Sequence, residues 1–573
     1  MSGFALAQYA IFLGIITALV RPVGRYLAKV FTGQPTLLDP ILRPAEKLLY
    51  AMIRANPERE MHWKEYASCF VVFAGVGTMF LYAILRFQRW LPWFYPQWMT
   101  TQVTPDLAVN TAISFATTTT WQAYGGETTL SYASQMAGLV VENFLGGAAG
   151  LAVAVAFVRG LARDRTTTLG NFWVDLVRGL LWILLPLSLG LSLLLIGQGV
   201  PMNFQPYASA QTLEGPRQTI AQGPVAALES IKNLGTNGGG FFGANGAHPY
   251  ENPTPLSNLL EMLAIAVLPA AFTYTYGMMV GRTRQGWLLY GVMIVLFVAG
   301  LLACGWAEQS GNPRLTTLVD RRPSAQQAGG NMEGKEVRFG ISSSVLTAVT
   351  TSNDATGSYN SQPDSYTPLG GMVLLVNLLL GEITFGGLGT GLYSMVMIAL
   401  IAVFLGGLLV GRTPEYLGKK VRAPETKMLM LYALAAPIGI LLLSALAVVS
   451  KAGLAGLTVN GGPHGLTEIL FAHASANANN GQSFGGLNAN SAYYNLTLAI
   501  TMMIGRFGLA IPALALAGSL GEQQPAPPSV GTIPTDSLAF ALLLIGTALI
   551  LTALNYFPAL TLGPLLEQLG LAR

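Results

Sequence analysis

The sequence predicts an all-α polytopic membrane protein with ten transmembrane helices, and three observations carry that prediction. Of 573 residues, 52% are apolar or aromatic and only 10% are charged, against about 25% charged in soluble domains. Ten stretches approach or exceed the roughly 20 apolar residues that a bilayer-spanning helix needs. Lys and Arg are crowded into alternate connections between those stretches, as the positive-inside rule requires of cytoplasmic loops. So few charges cannot solvate the surface of a soluble enzyme of this length. The net charge of +4 is no nucleic-acid signature, because topology accounts for where the basic residues lie.

In chain order the candidate spans are 3–20, 66–85, 132–158, 179–197, 262–281, 286–306, 370–411, 428–450, 492–520 and 537–557. The first has no basic segment before it, and Arg21 and Arg25 follow its apolar run. That order predicts a span with its N-terminus outside instead of a cleavable signal peptide. Segments 21–65, 159–178, 281–285, 411–427 and 521–536 then face the cytoplasm and hold 19 Lys or Arg in 103 residues. The four long outer segments, 86–130, 200–254, 306–368 and 451–491, hold 10 in 204. The run 370–411 is twice the length of one span, so it is expected to break or bend.

Each outer segment contains a moderately apolar stretch followed by a small, polar one. These are 112–116 into 117–122, 228–234 into 235–240, 345–349 into 350–357, and 470–473 into 474–481. Gln122, Gly238, Gly357 and Gly481 lie 116, 119 and 124 residues apart, a near-constant period that marks an internal repeat. Each unit reads as span, re-entrant half-helix, polar segment, span. Expected divisions are an N-terminal span with its loop (1–63), four repeats (64–165, 166–284, 285–424 and 425–520) and a C-terminal span (521–573).

Non-helical backbone at membrane depth is tolerated only where protein buries it or where it lines a watery cavity. Four such segments around a central pore offer rings of backbone carbonyls, the device that replaces the hydration shell of potassium. Glycine permits the positive φ that turns a carbonyl inward, and Thr and Asn add oxygens without bulk. The candidate filter residues are Thr119, Thr120 and Gln122; Thr236, Asn237 and Gly238; Thr351, Thr356 and Gly357; and Asn479, Asn480 and Gly481. Asp354 is the one acid in the four polar segments, which argues against a carboxylate cage for a divalent ion.

The repeat continues beyond these residues. Glu142, Glu261, Glu382 and Arg506 follow their segments by 20, 23, 25 and 25 residues. A charge inside the membrane costs about 2.5–3.5 kcal/mol on the lenient insertion scale, so four at matched positions need a reason. One reading is mutual pairing and interhelical hydrogen bonding that hold the bundle together. The other is that Arg506 sets a positive charge below the filter, opposing free passage of cations. After Glu382 come Gly386, Gly387, Gly389 and Gly391, each costing a helix about 1 kcal/mol relative to Ala. Close helix packing and a broken, movable helix under the pore both fit them; Glu382, Gly386 and Gly389 join Arg506 as candidate gating residues.

These residues resemble the potassium-binding A subunit of the Kdp potassium-transporting ATPase, within the superfamily of potassium transporters that includes Trk, Ktr and HKT proteins. The most specific strings are 235–242 continuing through 248–254, then 385–393, 411–420 and 505–508, and the likeness spans the whole chain. The resemblance implies a channel-like subunit that selects potassium at the outer face. It implies delivery through an intramembrane tunnel to a partner P-type ATPase B subunit, with a C subunit and a small single-span F subunit completing a complex in a bacterial inner membrane. It carries filter roles to Gln122, Gly238, Thr356, Gly357 and Gly481, and a blocking role to Arg506. Thr118, Thr119 and Thr120 stand where the family commonly has asparagines, and Thr356 where it often has cysteine; both changes keep small polar groups.

The chain lacks the Asp-Lys-Thr-Gly phosphorylation sequence of P-type pumps, so a non-catalytic subunit is expected, with ATP hydrolysis on a partner and no nucleotide bound here. Gly329, Gly334 and Lys335 have phosphate-loop spacing, but Glu336 replaces the required Ser or Thr. His62, His248, His464 and His473 are scattered, and no metal cluster is expected from them. Cys69 and Cys304 lie in apolar runs, so no disulfide framework is expected. Trp90, Trp93 and Trp98, near a span end, suit an interfacial belt in contact with membrane lipid. The rival to an ATPase-driven subunit is a self-sufficient channel or ion-coupled transporter of the Trk or Ktr type.

Overall fold

A computed structural model describes residues 3–571 apart from 313–319, 321–323, 325, 326, 328, 412 and 528–532. Arg412 of the string 411–420 and much of the loop 307–341 therefore lie outside the described residues. Among the described residues, ten helices are long and apolar enough to cross a membrane: Gly3–Phe31, Trp63–Trp90, Ser134–Ala162, Phe172–Gly197, Pro255–Met279, Thr283–Ser310, Thr390–Leu409, Ala423–Val449, Ala492–Gly521 and Leu538–Leu571. Each overlaps one of the ten predicted runs, although Thr390–Leu409 takes up only the second half of 370–411. The rest is helix and loop, save two short hairpins pairing 208–211 with 217–220 and 415–416 with 419–420.

The long run 370–411 does break. A short helix, Pro368–Leu379, stops and the chain resumes as a helix only at Thr390–Val410. Between them Gly381, Glu382, Phe385 and Gly389 all have positive φ, from +50° to +91°. A right-handed helix needs φ near −63°, so helical hydrogen bonding cannot run through this stretch.

Apolar surface alone does not hold helices together in lipid; close packing at small residues does. The structure uses this repeatedly. A Cβ added at Gly160 would stand 2.3 Å from the carbonyl oxygen of Ala517, at Gly286 2.4 Å from that of Thr273, and at Gly24 2.6 Å from that of Ala271. These glycines bring spans to backbone contact. The first span packs on Pro255–Met279, and Ala492–Gly521 packs on Ser134–Ala162, the most deeply buried span of the ten.

Toward the predicted cytoplasmic ends, charged residues are paired. Arg159 meets Asp175 at 2.5 and 2.7 Å, and the Tyr66 hydroxyl donates to Asp175 at 2.9 Å. The Lys419 ammonium donates to the carbonyls of Gly160 and Arg163. Lys335, part of the phosphate-loop-like spacing, is committed elsewhere. It is buried, 2.7 Å from Glu308, and lies 4.0 Å from the centre of the Tyr366 ring.

Candidate functional site

Four short helices lead into the four polar segments: Pro105–Ala116, Val225–Leu234, Gly340–Asn353 and Gly462–Asn477. Their side chains are mostly buried, and at 10–16 residues each is too short to cross a bilayer. The chain leaves three of them in the same way. Thr119 and Thr120 both donate their N–H to the carbonyl of Ser114, Asn237 and Gly238 to that of Lys232, and Asn480 to that of Ser475. Left-handed residues punctuate these exits: Thr118 and Thr120, Thr236 and Gly238, Asn479 and Gly481, with Gly357 in the third segment. Helices and strands both keep φ negative, so residues at positive φ interrupt either regular structure in these segments.

The four segments touch in a closed cycle. Gly238 of the second lies so close to the third that an added Cβ would stand 1.5 Å from the Thr356 carbonyl oxygen. Gly357 of the third meets the Asn480 carbonyl of the fourth at 2.1 Å in the same sense, and Gly481 of the fourth meets the Thr119 carbonyl of the first at 2.2 Å. The last junction is a hydrogen bond: Thr120 Oγ1 donates to the Asn237 carbonyl of the second segment at 2.8 Å. At every junction the backbone carbonyl comes from the residue that precedes the next junction position.

In these contacts the junction register runs through Thr120, one of the candidates in the first segment. The carbonyl residues are Thr119, Asn237, Thr356 and Asn480, and the positions after them are Thr120, Gly238, Gly357 and Gly481. Thr120, not Gln122, is the counterpart of the three glycines. Gln122 lies beyond the junction, where its Oε1 accepts from the N–H of Gly240 at 2.8 Å and its Nε2 donates to the Tyr124 hydroxyl at 3.4 Å. A threonine at φ +50° is an outlier for a β-branched residue, and Thr120 offsets this strain with its hydroxyl's bond.

Side chains brace the cycle from behind. Asn479 Nδ2 donates to Thr119 Oγ1 (2.8 Å) and to the Met502 carbonyl (3.0 Å). Asn480 Nδ2 donates to the carbonyls of Thr351 (2.6 Å) and Asp354 (2.5 Å), and Thr356 Oγ1 donates to Asp354 Oδ1 at 2.8 Å. Asn237 Nδ2 donates to the Asn143 carbonyl at 2.6 Å, and the Thr236 hydroxyl accepts from the N–H of Leu388 at 2.6 Å. Buried polar atoms are normally satisfied. Here Thr351 Oγ1, Asn237 Oδ1, Asp354 Oδ2 and both side-chain polar atoms of Asn143 have no protein partner. Four of these five atoms are oxygens, and the fifth, Asn143 Nδ2, is a donor.

The Val225–Leu234 helix contains a residue whose importance the sequence reading missed. Lys232 is fully buried, with its ammonium 2.7 Å from both Glu229 and Glu251 and 2.8 Å from Asn245 Oδ1. Asn245 Nδ2 in turn donates to the Gly239 carbonyl, and Glu251 Oε1 accepts from the N–H of Phe242. A Lys three residues after a Glu in an apolar helix is the one sequence signal for this network. In the loops above, Glu127 accepts from the N–H of Gly243 at 2.9 Å; burial raises its carboxyl above the ordinary carboxylate range.

Two of the candidate gating residues, Arg506 and Gly389, both approach Gly150. Gly505 is packed so tightly on the fourth short helix that a Cβ would stand 1.8 Å from the Asn477 carbonyl. The neighbouring Arg506 is buried; its Nη2 donates to the Gly146 carbonyl at 3.2 Å and its guanidinium lies 5.5 Å from the Phe70 ring centre. Arg506 Nε has no partner. The break in the third unit comes to the same place. At Gly389 a Cβ would stand 2.3 Å from the Gly150 carbonyl, and at Gly386 1.8 Å from that of Glu382. The Glu382 carboxylate accepts from the N–H of Gly387 at 3.2 Å. Among the described residues, no ion pair within 4.0 Å joins Glu142, Glu261, Glu382 and Arg506 to one another. Direct pairing of these charges is therefore not seen among the described residues, whereas the hydrogen bond from Arg506 to the Gly146 carbonyl joins two spans, as the packing reading expects.

Comparison with known proteins places this geometry in context. Residues 10–569 match the family model KdpA, described as the potassium-transporting ATPase A subunit. Similar proteins include the potassium-transporting ATPase potassium-binding subunits of Koribacter versatilis, Methylobacterium radiotolerans and Rhodopseudomonas palustris. They are 49%, 52% and 50% identical, over 99%, 98% and 100% of this chain and 99%, 97% and 99% of theirs.

Proposed function

Because the chain belongs to the KdpA family of potassium-transporting ATPase A subunits, we propose that it is the potassium-selecting, channel-like subunit of an ATP-driven uptake complex. The complex would comprise a P-type ATPase B subunit, a C subunit and a small F subunit in the inner membrane of a bacterium. The observation that carries this reading is the closed cycle of four junctions, in which carbonyls of Thr119, Asn237, Thr356 and Asn480 approach the next segment. Potassium entering from outside would exchange its hydration shell for such carbonyls. The four units then act as pseudo-symmetric repeats around one pore, with the N-terminus outside.

Below the cycle, the buried guanidinium of Arg506 confronts any cation that leaves the pore toward the cytoplasm. At effective dielectric constants of about 20, two unit charges about 4 Å apart interact by roughly 4 kcal/mol, enough to disfavour straight passage by about a thousandfold. The ion would instead leave sideways, along an intramembrane tunnel toward the ATPase partner. Glu382, Gly386 and Gly389 form the broken segment beside that exit. ATP hydrolysis belongs to the partner, so this subunit supplies selection and not catalysis.

Reconstituting the purified chain alone in liposomes tests the reading against a self-sufficient Trk- or Ktr-like transporter. The proposal expects negligible potassium flux without partner and ATP. Appreciable, saturable potassium flux through the isolated chain would overturn it.

A further inference from the structure

The sequence reading expected no metal cluster from four scattered histidines, yet folding gathers one of them with three carboxylates. His464 and Glu468 lie one turn apart on the Gly462–Asn477 helix, spacing that puts both on one face. Asp364 arrives from the turn Pro363–Ser365 after the third polar segment, and Glu567 from the C-terminal helix Leu566–Leu571. His464 Nε2 stands 2.9 Å from Asp364 Oδ1 and 3.8 Å from Glu468 Oε1, while its Nδ1 stands 2.9 Å from Glu567 Oε1.

We propose that Asp364, His464 and Glu468 form a binding site for a single transition-metal dication of the Zn²⁺ class, with Glu567 orienting the imidazole. Three donors bonded to one tetrahedral Zn²⁺ at 2.0–2.1 Å lie about 3.3 Å apart; here one donor atom from each side chain lies within 4.8 Å of the others. The two separations from His464 Nε2, 2.9 and 3.8 Å, bracket that spacing, and the Asp364 and Glu468 donors lie within 4.8 Å of each other. The contact from Nδ1 to Glu567 matches a recurring arrangement at metal sites, in which a ligating histidine donates its other ring N–H to a carboxylate. One imidazole nitrogen with two carboxylates suits Zn²⁺ better than Mg²⁺ or Ca²⁺, which favour oxygen-only sets.

Two observations make a cation's presence physically reasonable. Glu468 is fully buried, and its Oε2 has no hydrogen-bond partner while Oε1 accepts from Asn460 at 2.7 Å. Among the described residues, no Lys or Arg lies within 4.0 Å of the three carboxylates. Buried carboxylates are paired, hydrogen-bonded or bound to metal, and the histidine is the one basic partner here. A dication would clamp together the turn after the third polar segment, the start of the fourth short helix and the C-terminal helix. The clamp faces the outer side if the proposed topology holds, but metal binding itself does not rest on potassium transport.

The experiment is titration of the purified full-length chain in detergent, after chelator treatment, with Zn²⁺ and with Co²⁺ as a spectroscopic probe. Saturation at one metal per chain is expected, with a visible Co²⁺ absorption band that Zn²⁺ abolishes and an upward shift in melting temperature. His464→Gln and Asp364→Asn should each weaken binding at least tenfold, and Glu567→Gln by about 10–100-fold, the usual effect of an outer-shell partner. Lys451→Gln, outside the cluster, serves as a control and should bind as wild type. Absence of saturable binding, or equal binding by His464→Gln and wild type with matching melting temperatures before metal is added, would overturn the assignment.

Discussion

Gly238→Ala adds one methyl group to the junction between the second and third polar segments. Its Cβ would stand 1.5 Å from the Thr356 carbonyl oxygen and 2.7 Å from the carbonyl carbon, where real Cβ atoms essentially never approach within 3.0 Å. The two segments must therefore separate by at least about 1.5 Å, three times the roughly 0.5 Å within which a binding constellation has to be held. The glycine's φ of +106° adds strain for any L side chain, of order 1–3 kcal/mol. If that strain falls on the ion-binding arrangement, it alone corresponds to about 5–150-fold in affinity, and the displaced carbonyl adds to the loss. Potassium-stimulated ATP hydrolysis by the whole complex, titrated with potassium and with sodium, reads the effect. Half-maximal stimulation should require at least tenfold more potassium, with weakened discrimination against sodium. Gly238→Asp should fail more severely, because it adds a carboxylate to the same clash. Gly190→Ala, where nothing lies within 4 Å of an added Cβ, is the neutral control. Wild-type potassium affinity and ion discrimination in a well-folded Gly238→Ala complex would refute the reasoning.

Other sites test separate parts of the account. Thr120→Val keeps the branched shape but removes the donor to the Asn237 carbonyl; a loss of about 1 kcal/mol is expected, read by thermal unfolding, and unchanged stability would count against that junction. Arg506→Ala should let potassium leak through the reconstituted complex without ATP, whereas tightly coupled transport in the variant would make Arg506 a packing residue. Gly389→Ala, whose Cβ would stand 2.3 Å from the Gly150 carbonyl, should slow transport more than it weakens potassium affinity; equal effects on both would place it in the binding arrangement. Asp175→Ala leaves the Arg159 guanidinium without its carboxylate and should cost about 3–5 kcal/mol, measured as a fall in denaturation midpoint in detergent.

The spans were legible because lipid imposes length and composition directly on the sequence. The break before Thr390 was legible too, since few helices survive glycines at 386, 387, 389 and 391. The register of the first polar segment was not. Three of the four junction positions are glycine, and the fourth is a threonine held at positive φ by its own hydroxyl bond. Thr119 and Thr120 are among the candidates, but the period is counted from Gln122, although Thr120 lies 118 residues before Gly238 and fits it equally well. Lys232 was hidden for another reason: a lysine in an outer segment reads as solvated until the fold closes Glu229 and Glu251 around it. The cluster at His464 was unreadable from sequence spacing, because Asp364 and Glu567 are about 100 residues away on either side.

The central claim is that four carbonyl junctions in this chain choose potassium for an ATPase carried by another subunit. It is tested most directly by purifying the complex through this chain and measuring ATP hydrolysis as potassium or sodium is added. A P-type ATPase should co-purify whose hydrolysis rises with potassium and not with equal sodium, and which loses this preference in Gly238→Ala. Hydrolysis indifferent to potassium, or a potassium preference unchanged by that substitution, would contradict it.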